Sequence, residues 1–207
     1  MKHLLFFLCF LLGSSFGLQA AESQHGIGFA AGQTSGLGIS YRKMTDNFGF
    51  QVTFGALSLN RDDWNDDDYR MEGDAVYGKP YLEPFTQKHY MRETDANIGL
   101  LLYKVLHTAK RSRFYLFAGG SLFYNIDTFE EHTYEYRLQE NDMYIMHELS
   151  GPKKSSESSS TVFAGFGIGI EFRLTNNIRI EVEWPLTYST DGDFIMYIPQ
   201  AGLHYFF

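Results

Sequence analysis

The amino-acid sequence predicts an all-β fold, an eight-stranded antiparallel up-and-down transmembrane β-barrel. Three observations lead to this prediction. Eight segments alternate apolar residues with polar or small ones at a period of two, which is typical of half-buried strands. The two long connections between these segments are the third and the fifth, and both numbers are odd. The last segment, residues 200–207, is a strand that ends on aromatic residues, as expected where a barrel strand reaches the membrane interface.

The first 20 residues have the pattern of a secretory signal peptide. Lys2 supplies the positive charge, residues 4–12 form a short apolar run, and Ala20 or Ala21 offers a cleavage site. The apolar run is shorter than the roughly 20 residues that a transmembrane helix needs. The only cysteine, Cys9, lies in this segment, so we expect neither disulfides nor thiolate chemistry in the remainder. Residues 1–20 are therefore predicted to be a signal peptide, and residues 21–207 a single barrel domain.

Turn residues separate the eight predicted strands. The strands span residues 25–33, 37–44, 48 to about 58, 95–107, 114 to about 126, 161–173, 178–184 and 194–207. The phase of the fourth strand stays open, because Leu100, Leu101 and Leu102 are consecutive. Pro185 predicts either the end of the seventh strand or a bulge, since proline cannot donate to a ladder.

The lengths of the connections provide an independent test of this arrangement. The second, fourth and sixth connections are short, whereas the third and fifth, at about 60–93 and 127–160, are long. Outer-membrane barrels have short turns on the periplasmic side and long loops outside. A chain that starts in the periplasm places every even-numbered connection there. The lengths therefore predict that both long connections face outward.

The final eight residues resemble the carboxy-terminal assembly signal of bacterial outer-membrane barrels, carried here by Gln200, Gly202, Tyr205 and Phe207. With the signal peptide, strand rhythm and loop lengths, the chain resembles the family of small eight-stranded outer-membrane barrels, the OmpA-type transmembrane domains and OmpX-like proteins. The resemblance implies export to the outer membrane, contact with its lipid, and recognition of the last strand by the barrel assembly machinery. No peptidoglycan-binding domain follows the barrel, so a wall-anchoring role is not expected.

Charged residues occur on the face of the strands that is predicted to line the barrel. An eight-stranded barrel is just wide enough for side chains to fill it, and an unpaired buried ion is costly. We therefore predict a plug of salt bridges and not an open pore. A gated ion path or a catalytic pair formed by Glu181 and Glu183 are the alternatives. The predicted cluster comprises Arg42, Glu171, Arg173, Arg179, Glu181 and Glu183.

The two long connections are acidic, with net charges of −4 for residues 60–93 and −5 for residues 127–160. They are candidate sites for extracellular partners, and the absence of basic patches there argues against nucleic acid. The acidic run 62–68 lacks the spacing of a calcium-binding EF-hand, which favours a solvated surface. No two histidines show metal-ligand spacing, and no nucleotide fingerprint is present. We therefore predict no catalytic, cofactor or metal residues.

The sequence favours a non-enzymatic outer-membrane barrel with a structural or surface-interaction role. One alternative is a lipid-modifying enzyme, for which His147 close to Ser150 is a weak indication. A second alternative is a narrow solute channel. A third is a soluble calycin-like barrel, whose apolar residues would face an internal ligand.

Overall fold

The computed structural model describes residues 24–64, 75–77, 83–138, 143–196 and 198–207, with residues 75–77 described by their backbone alone. The predicted signal peptide lies outside these residues. The strands are β1 (Gln24–Gly32), β2 (Gly36–Met44), β3 (Phe48–Trp64), β4 (Ala75–Tyr77), β5 (Phe85–Thr108), β6 (Ser112–Leu138), β7 (Met143–Arg173), β8 (Ile178–Ser189), β9 (Phe194–Ile195) and β10 (Gln200–Phe206). In this part of the chain no helix has the length and hydropathy required to cross a bilayer.

Eight of these strands close into a ring of antiparallel neighbours. The order around the ring is β1, β2, β3, β5, β6, β7, β8 and β10, and β10 pairs again with β1. At the closing seam Gly26 lies opposite Phe206, and Ala31 lies opposite Ala201. The short strands β4 and β9 add to β7 and β8. The predicted eight-stranded antiparallel barrel is therefore confirmed.

Short turns join β2 to β3, β5 to β6 and β7 to β8. In the first of them, the amide of Thr45 donates to the carbonyl oxygen of Phe48, and the Thr45 hydroxyl donates to the same oxygen. In the last, the amides of Leu174 and Thr175 both donate to the carbonyl oxygen of Ile178. All three turns lie at one end of the barrel, as the loop lengths predicted.

At the opposite end, the segments predicted as long loops are largely strand. β3 continues to Trp64, β5 begins at Phe85, and β6 and β7 extend over 27 and 31 residues. The loop prediction for 60–93 and 127–160 was wrong for these parts. Threonine and tyrosine favour strands, but the polar residues of these segments, many of them serines in β7, show no apolar alternation, so the usual signal was missing. Four strands, β3, β5, β6 and β7, thus continue beyond the barrel as an outer sheet.

The ends of the last two predicted strands also differ from the prediction. β8 continues through Pro185, which lies opposite Gly167 of β7. On its other side the ladder with β10 ends at Glu183, and the ladder with β9 starts at Thr187. Pro185 therefore falls between two ladders, where a missing N–H group is tolerated. The predicted strand 194–207 is divided into β9 and β10, and Pro199, just before β10, lies outside both of their ladders.

Side chains of the barrel alternate between an interior of charged, polar and aromatic groups and an apolar exterior. Ile39 is 70% exposed and Phe166 is 61% exposed, whereas Ser40 and Arg42, on the other face of β2, are buried. In β5, Leu101 points inward and its neighbours Leu100 and Leu102 point outward, which settles the phase that the sequence left open. The arrangement is the reverse of a calycin, so the soluble ligand-binding alternative is wrong.

Candidate functional site in the barrel lumen

A cluster of charged side chains occupies the lumen towards the end with the short turns. β8 contributes Arg179, Glu181 and Glu183, which share one face because residues two apart in a strand point the same way. Arg42 enters from β2 and Glu171 from β7, and all five side chains are at most 3% exposed. The structure thus brings together five of the six residues that the sequence proposed for this cluster.

Arg42 lies at the centre of the cluster. Its Nη1 atom is 3.2 Å from Glu181 Oε1 and 3.7 Å from Glu183 Oε1, and its Nη2 atom is 3.8 Å from Glu171 Oε2. The guanidinium carbon also lies 4.2 Å from the centre of the Tyr103 ring, in cation–π geometry. One cation from β2 therefore faces three carboxylates from the opposite wall.

Glu171 forms a second centre of charge pairing. Arg179 Nη1 donates to Glu171 Oε1 at 2.9 Å, and Arg113 Nη1 lies 3.6 Å from the same oxygen. Arg113 is buried and sits on β6 directly opposite Glu171. Arg113 was not predicted for this cluster, because the fifth strand was expected to begin at residue 114, whereas β6 begins at Ser112.

Arg173 does not belong to the cluster, and its prediction as a lumen residue is corrected. It is the last residue of β7, is exposed, and lies opposite Arg179. Two cations at directly opposed positions repel each other. Arg179 occupies the interior, and Arg173 remains in water at the strand end. With Arg113 in its place, the cluster still contains three arginines and three glutamates.

Neutral polar groups complete the hydrogen bonding of Glu183. The Tyr115 hydroxyl donates to Glu183 Oε1 at 2.8 Å, and Gln200 Nε2 donates to Glu183 Oε2 at 2.6 Å. The Tyr103 hydroxyl donates to Gln51 Oε1 at 3.1 Å. Tyr103 and Tyr115 meet edge to face, with ring centres 5.1 Å apart. The lumen at this level is therefore filled by paired charges and rings.

Three residues of the predicted assembly signal, Gln200, Gly202 and Tyr205, lie in β10, and Phe207 follows its last residue. Gln200 and Gly202 face the lumen, whereas Tyr205 and Phe207 point outward and are more than half exposed. A Cβ atom at Gly202 would lie 2.1 Å from Glu181 Oε1. Gly202 therefore leaves the space that the Glu181 carboxylate occupies. Gln200 and Gly202 thus contribute to the lumen as well as to the terminal pattern.

The outer sheet carries charge pairs where the sequence predicted a solvated acidic surface. Arg61 pairs with Asp63 and with Glu93, its Nη1 atom lying 3.2 Å from Glu93 Oε2. Lys88 donates to Glu157, and this hydrogen bond raises the pKa of the lysine above its usual value. Residues 65–68 of the acidic run lie outside the described residues. These charged side chains in the described part of the surface therefore form ion pairs.

The weak indication of an enzyme was His147 close to Ser150. Both residues lie on β7, opposite Glu135 and Thr133 respectively. Three residues of strand separate their backbones by roughly 10 Å. The two residues therefore do not form a nucleophile and base in contact.

The fold and the lumen define a class of protein, a closed β-barrel with a charge-filled interior and an apolar exterior. Neither a family model nor a curated protein matches the chain. Solved structures similar in fold include a major outer membrane protein from Thermus thermophilus, at 12% identity and a TM-score of 0.44, with coverage of 90% of this chain and 100% of that one. They also include the N-terminal β-barrel domain of Pseudomonas aeruginosa OprF, at 14% identity and a TM-score of 0.38, covering 91% and 100%. The attachment invasion locus protein Ail of Yersinia pestis matches at 11% identity and a TM-score of 0.33, covering 91% and 96%.

Proposed function

We propose that the protein is a non-enzymatic outer-membrane β-barrel with a closed lumen, which carries a rigid outer sheet as a surface for extracellular contact. The apolar exterior of the barrel carries this proposal. Side chains such as Phe29, Ile39, Phe54, Leu100 and Phe166 are 49–70% exposed around the ring. A soluble protein seldom exposes a contiguous apolar surface of this extent. Lipid is the solvent that such a belt fits.

Strand lengths support a membrane position with the outer sheet outside the bilayer. A membrane-spanning β-strand needs about 9–11 residues. β1 and β2 have nine residues each, whereas β6 has 27 and β7 has 31. The excess length of β6 and β7 therefore continues beyond the lipid. Export through residues 1–20, and recognition of Tyr205 and Phe207 by the assembly machinery, belong to the same proposal.

The charge pairing in the lumen supports a structural role over conduction. A permeating ion would have to separate guanidinium and carboxylate groups such as those of Arg42 and Glu181, which are buried and mutually paired. Removing one partner from such a buried pair is strongly unfavourable. The cluster therefore closes the lumen to ions and joins opposite walls of the barrel.

The outer sheet supports the contact role, because its outermost strands have unpaired edges over part of their length. Within the described residues, β3 pairs with β2 only as far as Phe54. β7 pairs with β8 from Phe163 onward and with β4 at Met143 to Ile145, so its edge is unpaired between these two ladders. An unpaired strand edge can add a strand from another chain. The partner surface would include these edges and the charged side chains next to them.

Cysteine labelling of intact cells tests the topology. The only native cysteine lies in the predicted signal peptide, so single cysteines can be placed freely. We expect Ser156→Cys, on the outer sheet, to react with a membrane-impermeant maleimide in intact cells. The matched control Asn176→Cys, in the turn 174–177, should react only after lysis. Fractionation should place both variants in the outer membrane as bands that shift on boiling. A soluble protein, or the opposite labelling pattern, would refute the proposal.

A further inference from the structure

Two histidines and a glutamate converge on one face of the outer sheet. His89 of β5 lies directly opposite Glu130 of β6, and His132 lies opposite Gln87, two residues along the same face. One potential ligand atom from each of His89, Glu130 and His132 lies within 4.8 Å of the others. This is the separation at which a single ion can draw three ligands together with small side-chain movements. The two histidines belong to different strands, so no local motif reveals the group.

Each histidine is held by a carboxylate on the next strand outward. His132 Nδ1 lies 2.9 Å from Glu148 Oε1 on β7, and His89 Nε2 lies 2.7 Å from Asp62 Oδ1 on β3. Metal-binding histidines usually donate their second ring nitrogen to a carboxylate in this way, which fixes the ring and its tautomer. The other nitrogen of His132, Nε2, is buried and has no hydrogen-bond partner among the described residues. An unpaired buried nitrogen of this kind calls for a partner, and a metal ion can supply one.

The surroundings of the group pack against both histidines and favour a dication. The Trp64 ring stacks on His89, with centroids 4.7 Å apart and an interplanar angle of 18°, and lies 5.1 Å from the His132 ring. Three carboxylates contact or belong to the group, and one cation, Lys154, lies 3.7 Å from Glu130. With neutral imidazoles these four charged groups sum to about −2, since Lys154 offsets one of the three carboxylates. A divalent ion would neutralise this charge.

We propose that His89, Glu130 and His132 form a binding site for a divalent transition-metal ion of the zinc type. Two imidazole nitrogens and one carboxylate oxygen suit Zn²⁺, whereas Ca²⁺ requires six to eight oxygen ligands. The ion would link side chains of β5 and β6, and Asp62 and Glu148 would orient its histidines from β3 and β7. Three protein ligands leave a coordination position open to water or to a ligand from a partner. The site lies outside the barrel, so its failure would leave the proposed membrane role intact.

Titration of the folded, untagged protein in detergent micelles with zinc chloride tests the proposal. We expect one Zn²⁺ per chain by calorimetry, with no competition from excess Ca²⁺. His89→Ala and His132→Ala should abolish this binding, and Glu148→Gln should weaken it by about 10–100-fold. His107→Ala, an exposed histidine at the other end of β5, is the matched control and should bind as the unaltered protein does. Each variant is first checked for the gel shift of a folded barrel.

Tryptophan emission gives a second readout. In a Trp184→Phe background Trp64 is the only tryptophan, and its emission should change over the same range of Zn²⁺ concentration as the heat of binding. Two results would overturn the proposal. One is the absence of Zn²⁺ binding by the unaltered protein. The other is an undiminished stoichiometry in both histidine variants.

Discussion

Arg42 Nη1 lies 3.2 Å from Glu181 Oε1, although the two strands that carry them, β2 and β8, are separated in the ring by β1 and β10. The two groups meet across the lumen as a close charge pair and not as neighbours along the wall. Neither oxygen of Glu181 has an aligned hydrogen bond within the described residues. Close contact with Arg42 and with the buried His204, whose Nδ1 atom lies 2.7 Å from Glu181 Oε1, therefore holds Glu181 in place.

Replacing Arg42 with methionine should destabilise the barrel, because Glu171, Glu181 and Glu183 would lose the cation they share. Breaking a buried ion pair by removing one partner costs about 3–5 kcal/mol. The free energy of unfolding, measured by urea titration in micelles or vesicles, should fall by this amount. Arg173→Met at the exposed end of β7 is the control, and a change within about 0.5 kcal/mol is expected. Equal effects of the two substitutions would contradict the central role of Arg42.

Replacing Gly28 with alanine should weaken the closing seam between β1 and β10. A Cβ atom at this position would lie 1.9 Å from the carbonyl oxygen of Leu203, and the backbone cannot move aside as a side-chain end can. Overpacking of this kind costs about 1–3 kcal/mol in the free energy of unfolding.

Gly151→Ala is the matched control for Gly28→Ala, because a Cβ atom there meets nothing within 4 Å. The free energies of unfolding of the two variants, measured by urea titration, should therefore differ by about 1–3 kcal/mol. If both variants unfold at the same urea concentration, the close approach of β1 and β10 is not as described.

If the barrel is folded into lipid vesicles, as the proposed membrane position requires, replacing Phe166 with arginine should destabilise it. Phe166 points outward from the part of β7 that pairs with both β6 and β8, and an arginine near the bilayer midplane costs about 2–4 kcal/mol. Leu138→Arg, at a side chain that is 59% exposed at the end of the outer sheet, should have little effect on vesicle-folded protein. A similar loss at both positions would mean that lipid does not distinguish the barrel from the sheet.

Deletion of Phe207 should reduce the amount of barrel assembled in cells more than it reduces stability. The Phe207 ring is exposed, so the folded barrel loses little without it apart from the hydrogen bond that the Phe207 amide donates to the carbonyl oxygen of His25 at the start of β1. The fraction that shifts on boiling should fall in cells and stay close to that of the unaltered protein after refolding in vitro. Leu174→Ala, which removes another exposed apolar side chain at this end, is the control. A parallel loss in vitro would indicate a folding defect instead of a recognition defect.

The sequence predicted the barrel well because its signal is local. Alternation along β7 from Val162 to Phe172, and turn residues such as Thr45, require only neighbours in the chain. The sequence could not predict the outer sheet, since Ser155 to Ser160 show no apolar alternation and yet form a ladder with β6. There the partner strand, and not the intrinsic pattern, decides the conformation.

For the lumen, the alternation along each strand predicted which side chains would face inward. Which of these side chains form pairs depends on where each strand begins and ends. Arg113 and Arg173 lie near the ends of β6 and β7, and the offset of the two strands places Arg113 inside and Arg173 outside. The group of His89, Glu130 and His132 was missed for a related reason. Its members come together through a strand pairing, and the spacing rules for metal ligands apply within a single segment.

The ladder between β6 and β7 runs from the barrel wall into the outer sheet, from Ser112 opposite Phe172 to Leu138 opposite Tyr144, and both strands continue across its register shifts. A flexible loop of equal length would sample many shapes and would lose that freedom on meeting a partner. Here the freedom is already lost on folding, so association needs less ordering of the chain. In the proposed membrane position, the outer sheet would therefore hold its charged side chains at fixed heights above the bilayer.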